Sequence, residues 1–145
     1  MRYLVIPDQE DLLDPLIVRI RDIAAADPTA TFDLLVPLGH RSHSPLALLA
    51  ARRHAQTHLE QIQRVLGDVG INADGNVAND RLMWSIDDAL QTHSYDTIIV
   101  STPPTALRTA LGLDIAAHVA RTYEIPVIHV LAPEARWPQP PPGLR

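Results

Sequence analysis

Short apolar runs rich in β-branched residues alternate with stripes of helical spacing along this chain, and that alternation limits the fold more than any other feature. Residues 3–7, Tyr-Leu-Val-Ile-Pro, read as a buried strand. Asp14 then offers a cap and Pro15 suits the first helical position. Leu16, Ile17, Ile20, Ile23 and Ala24 recur on one helical face, and Asp27-Pro28 ends it. Residues 32–38 form a second strand. Ser44-Pro45 repeats the cap-and-proline start, for a helix reaching about Leu66 with Leu59, Ile62, Leu66 and Val69 on its apolar face. Gly67 and Gly70 supply its stop.

The second half repeats the pattern. Ile71, Ala73, Gly75 and Val77 alternate with polar residues, which predicts a weak strand at a sheet edge. Asn79 or Asp80 is placed to cap a helix striped by Leu82, Met83, Ile86, Ala89 and Leu90. Residues 96–101 are a clear buried strand, which Thr102-Pro103-Pro104 breaks. Asp114 is expected to cap a helix carrying Ile115, Val119 and Ala120, and residues 126–131 form the closing strand. Strand and helix thus recur four times before the last strand. Such alternation predicts an α/β fold, an open Rossmann-like parallel sheet with helices on both faces. Residues 1–132 make one domain. The proline-rich residues 133–145 make an extended tail, because proline supports neither helix nor central strand.

Composition removes several function classes. The chain has no cysteine, so disulfides and thiolate chemistry are absent. No run approaches the roughly 20 apolar residues that cross a bilayer. The chain opens on a strand rather than on a signal region, so the cytoplasm is the expected location. A formal net charge of −5 does not suit general nucleic-acid binding.

In an open sheet of this kind, ligands bind beyond the carboxyl ends of the strands, where the strand order reverses. If the first and fourth strands are neighbours, residues 7–10 and 101–105 flank that crevice, and residues 38–40 border it. Phosphate binding there calls for backbone N–H groups on a glycine-rich turn. None of the six glycines lies between Ser101 and Leu111, and Pro103 and Pro104 each lack a donor. The hydroxyls of Ser101, Thr102 and Thr105, with Arg108, remain able to hold an anion.

The runs Tyr3-Leu-Val-Ile-Pro-Asp8, Tyr95-Asp-Thr-Ile-Ile-Val-Ser101 and Ile125-Pro-Val-Ile-His-Val130 resemble the first, fourth and fifth strands of universal stress proteins. The likeness spans residues 1–131. It is closer still to a divergent, actinobacterial-type branch found alone or attached to amino-acid permeases, through the stretch from Leu82 to Pro104 and through Leu113–Arg121. The resemblance implies a sheet order of 3-2-1-4-5 and frequent homodimers through the last strand, here Val127, His129 and Leu131. It also implies that Asp8 is the acidic residue that helps to hold adenosine. ATP-binding members carry G-x2-G-x9-G-[ST] after the fourth strand. This chain has Ser101-Thr-Pro-Pro-Thr-Ala-Leu-Arg108 there, with Gly112 isolated. The expectation is therefore a non-catalytic module that pairs with itself or another protein and needs no cofactor, ATP included. The alternatives are a nucleotide- or anion-binding regulator using Asp8, Leu38, Ser101, Thr102, Thr105 and Arg108, and a nucleotide hydrolase.

Other polar residues carry weaker signals. His54 and His58 are four apart on a helix and share a face, but no third ligand at metal spacing accompanies them, and they read as surface histidines. His129 reads as a partly buried histidine or a pH-sensitive group at a dimer seam. Arg41, Arg52 and Arg53 form a small basic cluster. Asp87 and Asp88 point about 100° apart, which does not suit a paired acid and base. Trp84 reads as a packing residue.

Overall fold

The computed structural model describes residues 1–7, 14–38, 44–102 and 106–131, and of residues 14, 102, 106–114 and 131 the backbone alone. Strands β1 (Arg2–Ile6), β2 (Thr31–Val36), β3 (Ala73–Val77), β4 (Thr97–Thr102) and β5 (Val127–Leu131) alternate with helices α1 (Asp14–Ala26), α2 (Pro45–Asp68), α3 (Leu82–Thr92) and α4 (Ala106–Tyr123). The five strands form one sheet in the order β3-β2-β1-β4-β5. Every pairing is parallel, with Tyr3 beside Phe32 and Thr97, and Ile98 beside Val127. The expected fold class and sheet order are both observed.

Side chains alternate across the strands and divide the core in two. On one face Tyr3, Val5, Phe32, Leu34, Val36 and Ile99 pack against Leu16, Ile17 and Ile20 of α1 and Leu59, Ile62 and Leu66 of α2. On the other, Leu4, Ile6, Leu35, Ile98 and Val100 pack against Ile86 of α3 and Ile115 and Val119 of α4. Central strands buried on both faces need continuous apolar runs, which is why β1 and β4 stand out in the sequence.

Helix ends follow local chemistry. Ser44 is the N-cap of α2, its hydroxyl accepting from the Ala47 N–H at 3.5 Å, with Pro45 in the first turn. The α2 C-terminus closes in a Schellman motif: Gly70 at φ 82° donates to the Gly67 carbonyl, and Ile71 to that of Leu66. Val69 is therefore the C-cap and is 42% exposed, off the expected apolar face.

Other expectations are corrected. The N-cap of α3 is Arg81, without a side-chain bond. Asn79 makes an Asx turn before it, its Oδ1 accepting from the Arg81 N–H at 2.8 Å. Helix α4 begins at Ala106, so Asp114 is an interior residue rather than a cap. The run from Ala106 to Leu111 is mostly strong helix formers, which carries the helix upstream. Ala120 is exposed, while Ile115 and Val119 are buried. Trp84 is 62% exposed, with the Arg81 guanidinium 4.4 Å from its ring centre. The expected tail, residues 133–145, lies outside the described residues, as does Ala132 at the end of the expected domain. No helix among the described residues is long and apolar enough to cross a membrane.

Candidate functional site

Strands β1 and β4 are adjacent, and the chain leaves β1 for β2 on one side and β4 for β5 on the other. Their carboxyl ends therefore form the crevice at which order reverses. Ile6 stands beside Val100 in register, so Pro7 and Ser101 follow side by side at this edge. Ser101 is 5% exposed. Leu38, just beyond β2, is half-buried against the α1–α2 side of the core. Thr102 ends β4, and Arg108 lies in the first turn of α4, with their side chains outside the described residues. Asp8 and Thr105 fall wholly outside them.

The early start of α4 changes what this edge can offer. The first four N–H groups of a helix lack intrahelical partners and carry partial positive charge. Those of α4 begin at Ala106, two residues after Pro104. Helix donors thus stand where a glycine turn is missing, although Pro103 and Pro104 contribute none.

At the opposite, amino-terminal end of the sheet lies a polar cluster that the sequence reading missed. Asp33 of β2 interrupts an apolar strand. Its Oδ2 accepts from Arg2 Nε at 3.0 Å, from Arg2 Nη2 at 2.8 Å and from the Tyr95 hydroxyl at 2.7 Å. The Arg2 guanidinium also lies 5.2 Å from the Tyr95 ring centre. Burial, and then the Asp33 carboxylate, push the Tyr95 phenol far above its ordinary value, while Arg2 opposes them. Hydrogen bonding to Asp33 raises Arg2 in turn. The available signal was Asp33 itself, since an acidic residue within a buried strand needs a partner.

A second missed cluster joins α3 to α4. Asp87 Oδ1 lies 2.8 Å from His118 Nε2 and accepts from the Tyr123 hydroxyl at 3.0 Å. Burial, then the bond to Asp87, raises the Tyr123 phenol. The separations of 31 and 36 residues left no local pattern to find it by.

The histidines divide differently from expectation. His58 is 4% exposed and His54 is exposed, so the two do not form a surface pair. Among the described residues no group of three His, Asp or Glu side chains is placed to hold a metal ion. No buried side-chain nitrogen or oxygen lacks a partner among them. His129 is half-buried on β5, and Arg41 lies outside the described residues.

No protein-family model matches the chain. No curated protein matches it either. Solved structures do. A protein of the universal stress protein family from Burkholderia pseudomallei superposes with a TM-score of 0.65 at 16% identity, covering 89% of this chain and 94% of its own. A universal stress protein family protein from Arabidopsis thaliana with AMP bound gives 0.63 at 14% identity, covering 92% of each chain. At such identities the likeness is one of fold, and this chain has the universal stress protein fold from β1 to β5.

Proposed function

We propose that the chain is a non-catalytic module of the universal stress protein type that works by pairing with a second copy of itself through β5. The observation that carries this reading is the make-up of the two sheet edges. Strand β5 is Val-Ile-His-Val-Leu, with no Asp, Glu, Lys or Arg, and it occupies one edge. The other edge, β3, is Ala-Asp-Gly-Asn-Val, and pairing it with a second copy would bring Asp74 near Asp74, which like-charge repulsion opposes. Val127, His129 and Leu131 share one face of β5 and are the residues assigned to the seam. A cytoplasmic location accords with the absence of cysteine.

A second reading rests on the start of α4 at Ala106. Its free N–H groups, with Asp8, Leu38, Ser101, Thr102, Thr105 and Arg108, would hold a nucleotide or another small anion; the Arabidopsis protein of the same fold has AMP bound. Nucleotide hydrolysis ranks below both readings, because no nucleophile and base are paired among the described residues at this edge.

Native mass spectrometry of the purified protein, with and without ATP, separates the readings. A dimer that gains no mass, and that His129→Asp converts to monomer, is the expected result. A gain of one ATP per chain replaces it with the second reading. A monomer at all concentrations removes the pairing role.

A further inference from the structure

The two sheet faces are covered unequally. On β3, Ala73 and Val77 pack toward α2, while Asp74 and Asn76 point to the other face and are exposed. Helices α3 and α4 cover that face over Leu4, Ile6, Leu35, Ile98 and Val100 and stop short of β3. What remains is an open groove of about 880 Å³ between α3 and the outer strands, lined among others by Asp33, Asp74, Asn76 and Asp88.

We propose that this groove and the β3 edge receive an extended, lysine- or arginine-rich segment of another polypeptide, added to the sheet as a sixth strand. An edge strand presents a row of backbone N–H and C=O groups outward; on β3 the Ala73 carbonyl already accepts from Gln63 Nε2 at 2.9 Å, and an incoming strand would satisfy the others. The incoming strand would lie about 4.8 Å from β3, with every second side chain on the bare face. There those side chains meet Asp74, with Asp33 beside it in register and Asp88 across the groove. Asp33 already serves Arg2 and Tyr95, and Asp87 serves His118 and Tyr123. Asp74 and Asp88 have no ion pair among the described residues, although Arg2, which also lines the groove, is near enough to Asp74 to feel its charge.

Charge also selects the occupant. A second copy presenting its own β3 would set Asp74 near Asp74, and like charges on paired strands repel. The chain's β5 offers no basic residue except His129. A basic strand from a different protein meets neither objection. This edge is opposite β5, so the inference stands apart from the pairing role.

The test is fluorescence anisotropy with the full chain and a labelled peptide alternating lysine with valine. The controls are a peptide of equal charge with proline at two central positions, and an alternating glutamate–valine peptide. Saturable binding of the lysine–valine peptide is expected, weakened at least tenfold in the proline and glutamate peptides. The double variant Asp74→Lys, Asp88→Lys should lose at least tenfold, and the milder D74N, D88N pair should lose less. Both positions are on the surface, and circular dichroism checks that each variant folds. Equal binding of the proline peptide would show charge capture without strand addition and overturn the proposal. So would binding that the charge reversals leave unchanged, or no binding at millimolar peptide.

Discussion

Asp33 is a carboxylate inside an apolar strand, tolerated because Arg2 and Tyr95 converge on one of its oxygens. Removing a partner from such a group costs more than the bond itself contributes, because the remaining charge is left poorly solvated. Tyr95→Phe should therefore lower the unfolding free energy by roughly 1.5–3 kcal/mol in urea titrations. The same contact sets a dependence on alkali. An unfolded tyrosine ionises near pH ~10. The folded phenol keeps its proton to higher pH, because burial and Asp33 hold it there. The stabilisation is whole below about pH 10 and is lost as pH rises through the folded value. Phenolate absorbance at 295 nm should show Tyr95 titrating late, and Asp33→Asn should bring its midpoint down. Gly75 is a residue-scale constraint of another kind. A Cβ there would run into Leu59 Cδ1 and stand 3.0 Å from Leu34 Cβ. Gly75→Ala should cost about 1–3 kcal/mol, measured by the same titration, because the buried Leu59 side chain must shift and Leu34 must give to admit it.

Among the elements, α3 and α4 show where local pattern and tertiary packing part. Ile86 is fully buried beneath α3, and Ile86→Ala should cost about 2–5 kcal/mol in thermal or urea unfolding. Helix α4 ends at Tyr123 and is followed by Glu124, a non-glycine residue at φ 55°. The left-handed region costs such a residue about 1–2 kcal/mol, so Glu124→Gly should raise stability by roughly 1 kcal/mol. Most helices and strands were legible because their apolar period is clean, as with Leu16, Ile17 and Ile20 in α1 or Ile98, Ile99 and Val100 in β4, while β3 showed only a weak alternation. Boundaries were less so. Asp114 looked like a cap because caps are read from residue type, yet the formers upstream of it continue the helix. Trp84 looked like core because of its size, yet it sits outside the buried stripe under Arg81. The polar clusters were illegible for a different reason. Arg2, Asp33 and Tyr95 come from three places in the chain and meet only once β1, β2 and β4 are aligned. At the crevice, Leu38 lies two residues beyond β2 and Ser101 is the penultimate residue of β4, both near the carboxyl ends that the order of elements points to.

Taken as a whole, the molecule has two edges of opposite character around one sheet, and its two helical layers are of unequal extent. If pairing uses β5, the β3 edges of a dimer face outward at its two ends. A charged substitution on β5 should then change the sedimentation coefficient without changing peptide binding at β3, and Asp74→Lys should do the reverse. Either variant moving both readouts would mean that the edges are coupled through the sheet.

The central pairing of β1 with β4 has a consequence for the order in which the protein is made. Arg2 and Asp96 exchange backbone-linked bonds across 94 residues, the Arg2 N–H to the Asp96 carboxylate and the Asp96 N–H to the Arg2 carbonyl. On a ribosome, β1, β2 and β3 emerge with α1 and α2, and most of one core can close around them. Leu4, Ile6 and Leu35 must wait for α3, β4 and α4. For the seconds that synthesis takes, the nascent chain carries an uncovered apolar sheet face and an open β1 edge, the state in which a chaperone has most to hold.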